Sequence, residues 1–120
     1  MKRLPIASLI ELQEGQTIKF QVVRGGKRID GFLARFAGEV VAYENSCQHI
    51  AINLDSEGRK LFSRDGHHFI CQSHGAIYEP LSGLCVRGPC EGETLRRLEI
   101  KIRGQKIWLA EPATRIIRSD

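Results

Sequence analysis

Two short segments of the chain each place a cysteine close to a histidine. Cys47 and His49 are separated by one residue in the segment CQHI, and Cys71 and His74 are separated by two residues in CQSHG. Thiolates and neutral imidazoles are both good ligands for transition metals. The two pairs are therefore candidate halves of one metal site with two sulfur and two nitrogen ligands.

The residues around these pairs predict β-strands joined by short turns. TIKFQVV alternates apolar and polar residues and precedes Gly25–Gly26, while FLARF and VVAYE flank the turn AGE. KLFSRDGHHFIC, with Asp65–Gly66 as a two-residue turn, and LEIKIRGQKIWLA, interrupted at Gly104, have the same form. Strands and turns at this spacing predict an all-β fold, either an antiparallel β-sandwich or a small barrel.

The length of the chain suits one domain with its own apolar core. We predict a single unit over residues 1–120 of the 120-residue chain, with the core at 16–110. Phe20 and Trp108 occupy strand positions and are predicted to lie inside that core. The closing segment ATRIIRSD, residues 113–120, is predicted to be a loosely held tail.

Hydropathy and charge indicate the expected cellular compartment of the protein and the expected class of its partners. No apolar run approaches the roughly 20 residues needed to span a bilayer, and Pro5, Glu11 and Glu14 interrupt the start before a signal-peptide core could form. We therefore expect a cytoplasmic protein whose four cysteines are reduced, as metal ligands or small buried side chains. The net charge is +4 but the basic residues are scattered, so we expect an acidic partner protein more than a nucleic acid.

Both Cys/His pairs follow predicted strands and so fall in loops. The segment CQH follows VVAYE and CQSH follows HHFI, so the two loops could face each other. In extended chain, residues two apart point to the same side, which lets Cys47 and His49 face one metal site. The longer spacing of Cys71 and His74 requires a turn, and Gly75 supplies the backbone freedom for it.

The ligand set leaves two kinds of metal site open. Zinc accepts two cysteines and two histidines, and a zinc-stabilised interaction module is one hypothesis. Structural zinc sites, however, usually draw each ligand pair from one atom type, whereas here each pair is mixed and one has a single intervening residue. Mixed pairs favour two metal ions, one bound by thiolates and the other by imidazoles, with each loop giving one ligand to each ion.

The pattern Cys47-Gln48-His49, a spacer, and Cys71-Gln72-Ser73-His74-Gly75 resembles the signature of the Rieske [2Fe–2S] family. The resemblance extends over residues 16–110 and includes Tyr78, the turn Leu81-Ser82-Gly83 and the pair Gly88-Pro89. It implies one [2Fe–2S] cluster per chain in a Rieske-like sandwich with two cluster-binding loops. In that arrangement Cys47 and Cys71 hold the inner iron, and His49 and His74 hold the outer iron near the surface.

The resemblance also bears on the reduction potential. High-potential relatives carry a disulfide between the cluster loops, and this chain has Ile52 and Ser73 at those places. They also carry a serine that donates a hydrogen bond to the cluster, where this chain has Ala76, although Tyr78 is retained near a cysteine sulfur. We therefore expect a potential in the lower part of the range of about −150 to +300 mV known for such centres.

Four further residues and one turn are candidates for other roles. His67 and His68 adjoin a turn and are candidate spare ligands, but we interpret them as non-ligands because neighbours in a strand point to opposite faces and the four expected ligands are already present. Cys85 and Cys90 are interpreted as small buried side chains, with a disulfide or redox role as the alternative. Gly88-Pro89 is predicted to cover the cluster, with an ordinary turn as the alternative.

The function implied is a soluble, ferredoxin-like one-electron carrier that is not an enzyme by itself. Electrons would pass through the edges of His49 and His74, with Gln48, Ile50 and Pro89 as the docking surface. The expected partners are redox proteins, a reductase, an oxygenase or both, with no nucleic acid or membrane. The alternative is a small accessory subunit of an oxygenase or a nitrite reductase-type complex.

Overall fold

The computed structural model describes residues 4–48, 52–55, 60–71 and 75–118. Within these residues the chain is almost entirely antiparallel β-structure with a single 3₁₀ turn, which confirms the all-β prediction. The elements are β1 Leu4–Ser8, the 3₁₀ turn Leu9–Glu11, β2 Thr17–Arg24, β3 Lys27–Phe36, β4 Glu39–Glu44, β5 Phe69–Ile70, β6 Ile77–Tyr78, β7 Cys85–Arg87, β8 Ile100–Arg103, β9 Lys106–Leu109 and β10 Arg115–Arg118.

The chain divides into two compact units. The first, here the sheet unit, comprises Met1–Glu44 and Arg97–Asp120 and contains β1 to β4 and β8 to β10. The second, here the loop unit, comprises Asn45–Arg96 and contains β5 to β7. The single folding unit over residues 1–120 stays a prediction.

The sheet unit contains a four-stranded sheet in the order β10-β2-β3-β4 and a three-stranded sheet in the order β1-β9-β8. The pairing of β2 with β3 runs from Thr17 opposite Ala34 to Arg24 opposite Lys27. Gly25 and Gly26 close this hairpin with φ of 55° and 76°, the left-handed conformation that two-residue hairpin turns require. The predicted hairpins β2–β3, β3–β4 and β8–β9 are all present.

A carboxylate supports the turn between β3 and β4. Ala37 has φ of 52°, which is unfavourable for a residue with a side chain. The backbone N–H groups of Ala37 and Gly38 donate to the two carboxylate oxygens of Glu14 at 2.7 and 2.9 Å. Charge-assisted bonds of this kind offset the backbone strain and hold the turn in place.

Apolar side chains from both sheets form one core in the sheet unit. Phe20 is 1% exposed, as predicted, but Trp108 is half-buried and its indole N–H donates to the carbonyl of Arg103 at 3.3 Å. The prediction for Trp108 is wrong because its neighbours in β9 take the inward face and alternation turns Trp108 outward. The buried core residues are Ile6, Ala7, Leu12, Phe20, Val22, Leu33, Ala42, Leu98, Ile107 and Leu109.

The two ends of the chain form strands that the sequence did not predict. β10 pairs with β2 from Arg115 opposite Val23 to Arg118 opposite Phe20, so the predicted loose tail at 113–120 is wrong for these residues. β1 pairs with β9 as an edge strand and carries an irregularity between Pro5 and Ala7. Proline has no N–H to donate, and an edge position tolerates that loss.

Two segments at the border of the sheet unit, the end of β4 and the residues just before β8, are hydrogen-bonded to each other. Leu98 N–H donates to Ala42 O at 3.0 Å, and Arg97 Nη2 donates to the hydroxyl of Tyr43 at 3.1 Å. The Arg97 guanidinium lies 5.4 Å from the centre of the Tyr43 ring, within range of a cation–π contact. The strand before residue 45 and the segment after residue 96 are therefore held together.

The loop unit is built from very short strands in the order β5-β6-β7. Ahead of β5, Ser63 N–H donates to His68 O at 2.7 Å and Gly66 N–H donates to Ser63 O at 2.9 Å. The predicted hairpin at 60–71 is present, but its turn spans residues 64–67 and is longer than the predicted two residues. In the described part of the chain, no helix is long and apolar enough to cross a membrane.

Candidate metal centre

The first predicted metal-binding loop begins directly after β4 and is organised by Asn45. This side chain is 3% exposed; its amide donates to Asp55 Oδ1 at 2.9 Å, and its oxygen accepts the Leu54 N–H at 2.8 Å. Cys47 N–H donates across the same loop to Ile52 O at 2.8 Å. These bonds fix the two arms of the loop and leave the Cys47 side chain 3% exposed.

The second predicted loop begins directly after β5 and closes in the same way. Cys71 N–H donates to Ala76 O at 2.8 Å, and Gly75 N–H donates to Cys71 O at 2.9 Å. Gly75 has φ of 74°, which fits its predicted role as the turning residue. Cys71 is fully buried.

The two loops are closed by the same type of backbone hydrogen bond. In each, the amide of the cysteine donates to the carbonyl five positions further along, Cys47 to Ile52 and Cys71 to Ala76. The two other predicted ligands, His49 and His74, lie between these closing positions and outside the described residues. The structure therefore gives each predicted cysteine a similar backbone frame, and the imidazole positions stay a prediction.

A third segment packs against the second loop. Gly88, just after β7, has φ of 106°, and a Cβ atom there would lie 2.8 Å from the Cα atom of Ala76. Only a glycine fits so close to a backbone atom in this conformation. Gly88-Pro89 is therefore placed beside the loop of Cys71, as its predicted covering role requires.

The hydroxyl of Tyr78 lies beside the predicted ligand Cys47. The side chain is fully buried, and its oxygen lies 3.5 Å from Cys47 Sγ, 3.1 Å from Cys90 Sγ and 3.0 Å from the donating Gln48 N–H. Burial, followed by the contacts with the two thiols, raises the pKa of Tyr78 well above its usual value. The phenol therefore keeps its proton and can donate it to sulfur.

Cys85 and Cys90 form a buried pair beside Tyr78. They are 1% and 5% exposed, their sulfur atoms lie 3.0 Å apart, and both are thiols, as the sequence interpretation expected. Cys85 Sγ also donates to the carbonyl of Arg87 at 3.3 Å. Burial raises the pKa of Cys90 to about 11, so its thiol is protonated at neutral pH.

The chemistry of the two described cysteines suits metal binding. Cys47 and Cys71 are buried, and a buried thiolate is costly unless a metal ion or donated hydrogen bonds compensate its charge. Tyr78 supplies such a donor beside Cys47. Among the described residues no group of three or more His, Cys, Asp or Glu side chains could hold a metal ion. His67 is exposed and His68 is half-buried, and their interpretation as non-ligands stays a prediction.

Sequence reasoning missed two features of this region. The first is the hydrogen bond between the side chains of Asn45 and Asp55. An asparagine directly after a strand is a turn signal and could have indicated it. The second is the contact of Cys90 with Tyr78, which are twelve residues apart and carry no shared motif.

The chain was compared with known proteins. The family model described as "Rieske [2Fe-2S] domain" matches residues 2–108. No curated protein matches the chain.

Solved structures with similar folds include proteins of carbazole 1,9a-dioxygenase systems. The ferredoxin from Nocardioides aromaticivorans IC177 superposes with a TM-score of 0.69 at 20% identity, over 93% of this chain and 100% of that one. The complex of reduced oxygenase and oxidized ferredoxin gives 0.70 at 22%, over 93% and 95%. The terminal oxygenase from Novosphingobium sp. KA1 gives 0.72 at 20%, over 89% and 29%.

The coverage differs between these neighbours. The present chain spans 27% of the chain matched in the reduced complex between oxygenase and ferredoxin. At these identities the likeness concerns the fold, which agrees with the antiparallel strands described above.

Proposed function

Because the chain belongs to the Rieske [2Fe–2S] domain family, we propose that it is a one-electron carrier whose cluster is held by Cys47, His49, Cys71 and His74. The observation that carries the proposal is the matched pair of loops. Each loop buries a cysteine at its start and closes with the same backbone bond, and each has a histidine two or three positions after the cysteine.

The ligand types explain the chemistry. When bound, the cluster accepts and returns one electron, and imidazole in place of two thiolates makes it easier to reduce than an all-cysteine cluster. Cys47 and Cys71 are buried, which suits the iron that is remote from solvent. With four protein ligands assigned, we propose that the chain has no catalytic activity by itself.

The residues around Cys47 support a potential in the lower part of the family range. Hydrogen bonds donated to sulfur stabilise the reduced, more negative state. Tyr78 is placed to donate one such bond, whereas Ala76, fully buried in the second loop, has no hydroxyl to add another. We propose a potential below that of relatives in which a serine hydroxyl adds such a bond.

We propose a reductase and an oxygenase as the redox partners, and the cytoplasm as the site of action. The fold is shared with a ferredoxin that is matched over its whole length and with oxygenase–ferredoxin complexes. Pro89, in the segment against the second loop, is exposed and available for docking, and Arg87 beside it is exposed and basic. Among the described residues the four cysteines form no disulfide, as expected in a reducing compartment.

A second candidate is an accessory subunit that works only inside an oxygenase complex. The match to oxygenase chains over less than a third of their length favours it, since those chains contain a domain of this fold within a larger protein. Reduction of the purified protein by a ferredoxin reductase would favour the free carrier. Stable co-purification with a larger redox protein would favour the subunit.

The experiment that tests the carrier function is metal and sulfide analysis of the purified protein, followed by spin resonance of the dithionite-reduced form. We expect two irons and two acid-labile sulfides per chain, together with the signal of a mixed-ligand binuclear cluster. Zinc without sulfide would overturn the proposal. Cys71→Ser should abolish cluster loading, whereas Cys85→Ser, a matched buried cysteine outside the ligand set, should retain it.

A further inference from the structure

The hydroxyl of Tyr78 has three neighbours and only one proton to give. A phenol offers one donor and two acceptor positions. The backbone N–H of Gln48, at 3.0 Å, can only donate, so it occupies one acceptor position. The remaining neighbours are two sulfur atoms, Cys90 Sγ at 3.1 Å and Cys47 Sγ at 3.5 Å.

Two arrangements of protons join Cys90 and Tyr78 by a hydrogen bond. In the first, Cys90 donates to Tyr78 and Tyr78 donates to Cys47, while Cys85 donates to the carbonyl of Arg87. In the second, Tyr78 donates to Cys90 and Cys90 donates to Cys85, whose sulfur is 3.0 Å away. The second arrangement leaves Cys47 without the phenol proton.

The chemical state of Cys47 decides between them. As an iron ligand Cys47 is a thiolate, which accepts hydrogen bonds and cannot donate, and charge-assisted bonds are about twice as strong as neutral ones. A neutral thiol such as Cys90 is a weak acceptor. The phenol proton therefore gains more at Cys47, and the second acceptor position of Tyr78 is then open to the Cys90 proton. Cys85 Sγ, 3.0 Å from Cys90 Sγ, is the competing acceptor, but a thiol sulfur accepts hydrogen bonds more weakly than the phenol oxygen.

We propose that Cys90 is a positioning residue for the metal centre: its thiol donates to the Tyr78 hydroxyl and so directs the phenol proton onto the sulfur of Cys47. This inference rests on the proposed role of Cys47 as a ligand. In the chain of bonds from Cys90 through Tyr78 to Cys47, each donor polarises the next and strengthens it. The elevated pKa of Cys90, caused by burial, keeps the donated proton available.

The test is the midpoint potential of the loaded protein in a set of variants. Y78F removes the bond to Cys47 and should lower the potential most. C90A should lower it in the same direction, by roughly a two- to fivefold decrease in the equilibrium constant for reduction, or about 20 to 40 mV at 59 mV per tenfold. C90S, which restores a donor of nearly the same size, should return the potential toward that of the wild type.

Two comparisons separate this role from a merely structural one. In the Y78F background, C90A should cause no further change, because the bond through which Cys90 acts is absent. C85A removes the other sulfur to which Cys90 can donate, so it should not lower the potential, and a drop on C85A would contradict the positioning role.

Contrary results would be equally clear. A rise in potential on C90A would mean that Cys90 competes for the phenol proton, and an equal drop in the Y78F background would mean a general packing effect. Either outcome overturns the positioning role while leaving the cluster in place. Absence of the cluster from the wild-type protein would overturn the proposed function itself.

Discussion

The sheet unit and the loop unit are stabilised by different means. The sheet unit has several strands of five to ten residues and a core of ten buried apolar side chains drawn from two sheets. In the loop unit the described strands have two or three residues, and two of its buried side chains are the polar Asn45 and Asp55. Burial of apolar surface contributes to both units, since Leu54, Phe69 and Leu95 are buried in the loop unit, but long paired strands hold the sheet unit whereas single hydrogen bonds at defined positions close the loops of the loop unit.

The packed core lies in the sheet unit, whereas the proposed metal centre lies in the loop unit. A segment closed by single bonds has a low free energy of local opening unless a further link holds it. Ligand bonds from both cysteines to one cluster would provide that link between the two loops. We therefore expect the loop unit to depend on its metal and the sheet unit to depend on its packing.

The largest expected effect follows removal of the metal. Iron chelation should make the Cys47 and Cys71 amides exchange with deuterium at least roughly 100-fold faster, because the loops lose their shared anchor. The amide of Leu33, in the middle of β3, should change by less than about threefold. Exchange measured by mass spectrometry on loaded and metal-free protein checks this, and equal acceleration in both regions would refute the contrast.

Truncation of Phe20 probes the other unit. Phe20→Ala removes a ring that is 1% exposed in the core of the sheet unit, so it should cost about 3 to 5 kcal/mol of unfolding free energy. Ile10→Ala, at a side chain 82% exposed, is the control and should change that free energy by less than about 0.5 kcal/mol. Urea unfolding followed by far-ultraviolet circular dichroism gives both values. A small cost for Phe20→Ala would argue against packing as the source of stability.

A smaller effect is expected from a methyl group at Gly88. Gly88→Ala and Gly92→Ala both place a side chain at positive φ, 106° and 93°, which costs about 1 to 2 kcal/mol each. At Gly88 the new methyl also meets Ala76 at 2.8 Å, which should add about 1 to 3 kcal/mol, whereas nothing lies within 4 Å of it at Gly92. Urea unfolding of both loaded variants measures the difference. Equal destabilisation would show that the packing against the second loop is unimportant.

The smallest expected effect concerns Glu11 in the sheet unit. The N–H of Ser8, followed by the guanidinium of Arg118, lowers the pKa of Glu11 below its usual value of 4.5. A lowered folded-state pKa means that the carboxylate stabilises the fold above pH 4.5 and that this contribution disappears as pH falls through the folded-state pKa. Glu11→Gln should therefore be less stable than the wild type at pH 7 and should approach it at low pH. Thermal unfolding at several pH values checks this, and a gap that persists under acid would contradict it.

The sequence was most informative where one residue type has one structural use. Glycine pairs and alternating apolar residues located the hairpins of the sheet unit, because left-handed turns and two-sided strands restrict the residues they accept. The ends of the predicted strands VVAYE and HHFI located both cysteine loops, because residues that directly follow a strand fall in the loop after it.

Features that depend on contacts between residues far apart in the sequence could not be predicted from it. RIIR at the end of the chain is too short to show alternation, and only its pairing with β2 makes it a strand. Trp108 looked like a core residue by type, yet the faces of β9 are assigned by what its neighbours bury. The contact between Cys90 and Tyr78 required the folded loop unit, since no local pattern links a thiol to a phenol.

The matching closures of the two loops limit how their lengths could vary. Each cysteine amide reaches the carbonyl five positions on, so an inserted or deleted residue between Cys47 and Ile52, or between Cys71 and Ala76, would leave that amide facing the wrong atom. At the exposed hairpin turn Gly25–Gly26, by contrast, nothing lies within 4 Å of an added methyl group. Designers who want to lengthen this protein, or to attach a reporter to it, should therefore work at the hairpin tips of the sheet unit and keep both cysteine loops at their present length.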